Sequence, residues 1–132
     1  MEDMLACTKT ISGLPLDSIK FHQLQIVKGT TMEHEFHETP SDFHQFSLEG
    51  YIEFIVRFVE QLNPAIVIER FSGEIPPRFM ESTDGIGAVE TRHVMPLHPQ
   101  QQRWGLIRYD AVLRMIEKEL ERQDTWQGKY YM

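Results

Sequence analysis

The sequence predicts an α/β unit: a βαβ core with a further helix at each end. Three observations carry this. Ile19–Val27 (IKFHQLQIV) is rich in β-branched and aromatic residues, as strands are. Leu48, Tyr51, Ile52, Ile55, Val56, Val59 and Leu62 recur at helical spacing. Ala65–Glu69 (AIVIE) then follows as a short apolar run that reads as a buried strand. Strand, crossover helix and strand in that order favour parallel pairing with a right-handed crossover.

In chain order, Met1–Ser12 reads as a helix with Met4, Leu5, Thr8 and Ile11 on one side and Gly13 at its stop. Leu14–Pro15–Leu16 turns into the first strand, which ends at Lys28–Gly29–Thr30. A weak helical turn is expected around Met32–Phe36, and Glu38–Phe46, interrupted by Pro40, reads as a loop. Ser47 is a suitable N-cap for the 48–62 helix, and Asn63–Pro64 stops it. Phe54 and Phe58 widen its apolar stripe, so this helix is expected to pack on two sides. Residues 81–103, with Gly85, Gly87, Pro96, Pro99 and three consecutive glutamines, read as an irregular loop or insertion. The last element is a helix over Tyr109–Arg122 with Tyr109, Val112, Leu113, Ile116 and Leu120 inward and an Asp110–Arg114 pair outside. The aromatic tail Asp124–Met132 is expected to dock rather than extend into solvent. Three segments result: 1–80 with the strands and crossover helix, 81–103, and 104–132 with the last helix and tail.

Composition narrows the function. With 132 residues there is room for one compact domain. Thirteen basic against twenty acidic residues give a net charge of −7, which gives no support to clamping of a nucleic-acid backbone. No apolar run reaches the roughly 20 residues that cross a bilayer. The first ten residues carry acid where an export signal carries positive charge, so a cytoplasmic setting is expected. The single cysteine, Cys7, supplies neither a disulfide nor an all-cysteine metal site. It lies in an apolar helix and reads as a buried, inert thiol.

Three groups of residues are candidates for chemistry. The strand end offers His22, Gln25, Lys28, Gly29 and Thr30, polar groups on an otherwise apolar run. The competing reading is edge-strand polarity, or glutamine side chains bonded to a neighbouring strand. Arg70 and Glu74 flank a Ser72–Gly73 turn and could meet a carboxylate or phosphate, or could pair locally, Arg70 with Glu74 or Glu69. His34, His37 and His44, among Glu33, Glu35, Glu38 and Asp42, are metal-ligand types, but the spacing is not HExxH and a solvated polar segment is the plainer reading. No Walker, Rossmann, EF-hand or G-x-S-x-G pattern is present.

Three stretches taken together carry a resemblance: DSIKFHQLQIVKGTTM, the 48–62 helix leading into IVIERFSGEIPPRFM, and WGLIRYDAVLRMIEKELERQDTWQGKYY. They resemble the C-terminal part of a radical S-adenosylmethionine (SAM) family often labelled Fe–S oxidoreductases, and more distantly the Elongator catalytic subunit. The most specific matches are Lys20, Lys28–Gly29–Thr30, Arg70, Glu74, Pro76 and Asp124–Lys129. The resemblance implies a partial (β/α) barrel of which Ile19–Val27 is the last strand, its polar residues lining the cavity. It implies a [4Fe–4S] cluster on a CxxxCxxC motif and SAM in the full-length protein, with reductive SAM cleavage giving a 5′-deoxyadenosyl radical. Neither cofactor is expected on this chain, which lacks that motif. The implied partner is the N-terminal barrel portion of the same protein. The alternative is a free-standing, non-enzymatic α/β binding module, and both readings allow a homodimer.

Overall fold

The structure is a computed structural model that describes residues 1–24, 30–44, 46–73 and 108–132. Its elements are α1 (Glu2–Ser12), β1 (Ser18–Lys20), α2 (Thr31–Glu38), a 3-10 turn (Pro40–Asp42), α3 (Leu48–Gln61), β2 (Val67–Arg70) and α4 (Tyr109–Arg122). The segment 81–103 lies outside the described residues.

The core is organised on α3. Ser47 caps it by accepting the Gly50 N–H at 3.1 Å, satisfying one of the donors a helix start leaves open. Tyr51, Phe54, Ile55, Phe58, Val59 and Leu62 are all buried and form one cluster with Leu5 of α1, Ile66, and Val112 and Ile116 of α4. Phe54 and Phe58 are inside, as two-sided packing requires. Tyr109 departs from the expected inward stripe of α4: it is exposed, and the Arg70 guanidinium lies 5.5 Å from its ring centroid. The Asp110–Arg114 pair forms at 3.3 Å. In the last turn of α4, Arg122 and Gln123 both donate to Glu119, pulling its carboxyl down to about 2.

Helix α1 buries Leu5, Thr8 and Ser12. Cys7 falls off that stripe and is exposed, its Sγ 3.3 Å from the Asp3 carbonyl, so the expected buried thiol is instead a surface one. Ser12 Oγ accepts the Asn63 N–H at 2.9 Å, which joins the ends of α1 and α3.

β1 and β2 pair in parallel, Ser18 opposite Val67 and Ile19 opposite Ile68, with a register shift before Lys20. The βαβ order therefore gives the pairing expected of it. β1 is shorter than the expected 19–27 strand: its ladder stops at Lys20, followed by one more bond from Phe21 N–H to the Arg70 carbonyl at 2.8 Å. Ile19 and Ile68 pack on the helical core, whereas Val67 is 61 % exposed. The AIVIE run is thus not a buried strand. Its apolar composition matches a fully covered sheet, but the described residues supply only two strands and one covered face.

The tail docks, through its backbone and amides rather than its rings. Gly128 N–H reaches the Val59 carbonyl at 3.0 Å, Tyr130 N–H the Glu60 carbonyl at 2.7 Å, and Gln127 Nε2 the carbonyls of Asn63 and Ile66 at 3.1 and 2.8 Å. The Gly128 and Tyr130 bonds reach carbonyls in the last turn of α3, where a helix end leaves acceptors to be satisfied. Trp126, Tyr130 and Tyr131 remain outside. Gly128 has φ +81°, and a Cβ there would lie 2.9 Å from the Pro64 ring. Both facts demand glycine.

Two substitutions test this arrangement by urea unfolding. Ile55→Ala is expected to cost about 2–5 kcal/mol, the range for a large-to-small change in a closed core. Gly128→Ala is expected to cost about 1 kcal/mol or more, because alanine pays for the positive φ as well as the contact. A neutral Gly128→Ala would show that the tail is not held as described.

Candidate functional site

The segment after β1 and the segment before α3 meet over a concave pocket of about 310 Å³. Phe21, Phe43, Phe46, Tyr51 and Phe54 supply aromatic walls, Met4 and Leu24 add apolar surface, and His22, Gln23, Asp42 and His44 supply the polar groups. The rings brace one another: Phe46 lies 5.7 Å from Tyr51 and 5.1 Å from Phe54, and the His44 ring stands edge-on to Phe46 at 4.4 Å. α3 fixes the pocket floor because Tyr51 and Phe54 sit one turn apart on its buried face.

Tyr51 also ties the floor to the sheet. Its hydroxyl donates to the Phe71 carbonyl at 2.5 Å, and burial raises its pKa above the ordinary value of 10. Beyond Phe71, the Gln23 side-chain amide closes a pair of bonds with Gly73, Nε2 to the carbonyl and the Gly73 N–H to Oε1, both at 2.8 Å. The glutamine bonded to a neighbouring strand, one of the readings open from sequence, is thus realised at Gln23. Ser72, between these two anchors, is buried, and its hydroxyl has no partner among the described residues.

The other face of the sheet is charged and, among the described residues, uncovered. Lys20 Nζ lies 3.0 Å from Glu69, and Ser18 Oγ donates to the same carboxylate. The Ser18 hydroxyl first, and then Lys20, hold the Glu69 carboxyl below its usual range.

The sequence-predicted residues divide as follows. His22 lines the pocket. Thr30 is the N-cap of α2, its Oγ1 accepting the Glu33 N–H at 3.3 Å. The T-x-x-E pattern Thr30–Glu33 is a helix-start signature, and it explains why the weak turn expected there is an eight-residue helix. Arg70 lies over Tyr109, while Glu69, one of its expected partners, pairs with Lys20. Gln25, Lys28, Gly29 and Glu74 lie outside the described residues. His34 and His37 each face a carboxylate on α2, Glu38 at 3.4 Å and Glu33 at 3.8 Å, whereas His44 stands at the pocket. Among the described residues no group of three or more His, Cys, Asp or Glu is placed to hold a metal ion. Sequence reasoning missed the wall of Phe43, His44 and Phe46, Tyr51 as an anchor and Gly73; the aromatic density around Phe43 and Phe46 was the available signal. An aromatic box with a few polar groups at its rim suits binding of a flat, largely apolar group with a polar edge.

Comparison with known proteins gives the family. The family described as the Radical_SAM C-terminal domain matches residues 16–122, and the chain belongs to that family. It is 26% identical over 128 residues to the "Uncharacterized protein YtqA" of Bacillus subtilis (strain 168), covering 97% of this chain and 33% of that protein. It is 28% identical over 76 residues to the "Uncharacterized protein MJ0486" of Methanocaldococcus jannaschii, covering 58% of this chain and 23% of that protein. The chain therefore spans about a third or less of the curated relatives it matches. No solved structure matches. The family implies SAM and an iron–sulfur cluster in full-length members. The residues of this chain do not fit the cluster: its one cysteine is Cys7, on the outer face of α1. No helix among the described residues is long and apolar enough to cross a membrane.

The Tyr51 anchor makes two measurable statements. Tyr51→Phe leaves the Phe71 carbonyl without its donor and is expected to cost about 0.5–1.5 kcal/mol at neutral pH. Because the folded-state pKa is raised, the unfolded chain loses that proton first. The stability difference between wild type and Tyr51→Phe should hold below about pH 10 and shrink above it. Urea midpoints at pH 7, 9 and 10.5 check both, and a difference that does not shrink contradicts the buried hydroxyl.

Proposed function

We propose that this chain is the C-terminal cover of a radical SAM protein of the Fe–S oxidoreductase type. On this reading its two strands extend a barrel whose other strands lie in the N-terminal portion of the same protein, and it has no catalysis of its own. The observation that carries the reading is the two-stranded parallel sheet. Parallel strands occur in sheets covered on both faces, and a pair of strands is marginal on its own. Here Val67 is 61 % exposed, and each strand has one unpaired edge among the described residues. Such a sheet is suited to continuation by further strands. The family match and the coverage of only 33% and 23% of the relatives support the same reading.

In this role the aromatic pocket with His22, beyond the end of β1, forms part of the substrate cavity. Gln25, Lys28, Gly29 and Thr30 continue the chain from that cavity, with Arg70 and Glu74 near its mouth. The cluster and most SAM contacts belong to the N-terminal portion.

The test is direct. Purified chain, reconstituted anaerobically with iron and sulfide and given a reductant and SAM, is expected to release no 5′-deoxyadenosine above a protein-free blank. Release by the chain alone overturns the reading. A second check is the reading frame upstream of Met1, where an in-frame CxxxCxxC is expected and its absence counts against a barrel partner in the same protein.

The same unpaired edges favour a second reading, a free-standing module that pairs edge to edge with another copy. Sedimentation velocity over a concentration series tests this second reading: a monomer throughout counts against the module.

A further inference from the structure

Gln23 and Gly73 are joined in a way that strand pairing alone does not require. The backbone ladder ends with the bond from Phe21 N–H to the Arg70 carbonyl, and the Gln23 side chain then takes the place of a peptide group. A primary amide offers one carbonyl and an N–H donor in the same plane, so it can bond both polar groups of Gly73 at once. Two bonds of 2.8 Å hold Gly73 at a set distance from the end of β1. That position has a steric consequence. A Cβ on residue 73 would lie 2.8 Å from His22 Nδ1 and 3.5 Å from its Cε1. The imidazole therefore lies against the bare face of the glycine, and His22 lines the aromatic pocket beside it.

We infer that Gln23 and Gly73 are positioning residues: together they form a latch that seats the His22 imidazole at the aromatic pocket, making His22 a polar group that a bound molecule meets there. This rests on reading the pocket as part of the substrate cavity, but its test needs only the 132-residue chain. Gln23 sets where Gly73 sits, and Gly73 leaves the space that the ring occupies. Ser72 and Phe71 are carried along, Phe71 by its bond from Tyr51. Larger residues at 73 would drive the ring off the pocket even with the amide bonds intact.

NMR on the labelled chain distinguishes a latch from a staple that only stabilises the loop. In wild type, a cross-relaxation peak is expected between the His22 Hε1 proton and a Gly73 Hα proton. Gly73→Ala adds one carbon against the ring while leaving both backbone bonds to Gln23 available. Gln23→Ala removes the bonds while keeping the glycine. Both are expected to move the His22 ring-proton shifts and lose the contact between residues 22 and 73, with the methyl shifts of Ile55 and Ile116 unchanged. Gln23→Glu keeps the acceptor for the Gly73 N–H and is expected to fall between wild type and Gln23→Ala. Unchanged His22 ring shifts in Gln23→Ala, or a retained contact in Gly73→Ala, overturn the inference. Loss of the Ile55 and Ile116 pattern in both variants overturns it too, since the pair would then hold the fold rather than the ring. SAM cleavage by the chain would overturn the proposed function and leave this result untouched.

Discussion

Everything in this structure leans on the two-sided apolar surface of α3. Ile55, Val56 and Leu62 are fully buried. α1 packs on one side and α4 on another, while the tail takes up the carbonyls at its end. The sheet depends on the helix as well. Two short parallel strands gain little from their own ladder, and they are held by Ile19, Phe21, Ile68 and Phe71 lying on the helical cluster. The Phe21 ring stands edge-on to Phe58 at 5.1 Å and stacks with Phe71 at 6.0 Å, so one aromatic joins strand, helix and loop.

The pocket inherits its shape from that same helix. Tyr51 contributes its ring to the floor and its hydroxyl to the segment after β2, so the floor and rim cannot shift independently without breaking a buried bond. Close-packed interiors pass displacement on rather than absorbing it. A substitution on the α4 side of α3 therefore reaches the pocket through a single helix.

Much of this was legible in the sequence because period and capping chemistry are local. The stripe from Leu48 to Leu62, the Ser47 cap and the Asn63–Pro64 stop place α3 within one residue of its observed end. The Val112–Ile116 spacing does the same for α4. What the sequence concealed depends on neighbours. AIVIE reads as buried because apolar, β-branched strands usually have cover on both faces, and nothing in five residues says that one face is bare. Ile19–Val27 reads as one strand because side-chain pattern does not show where backbone pairing passes to the Gln23 amide. Of the site, His22 was visible as an out-of-place polar residue, whereas Gly73 became significant only once the fold set it against the ring. The T-x-x-E start of α2 was there to be read.

The exposed thiol on α1 bears on how copies of this chain meet. With no second cysteine in the chain, a disulfide between protein thiols at Cys7 joins two molecules. Such a pair would be linked through the outer face of a helix, whereas a pair built on strand edges is held by hydrogen bonds that no reductant touches. Dithiothreitol therefore separates the two: a dimer that dissolves in it belongs to the thiol, and one that persists belongs to the sheet.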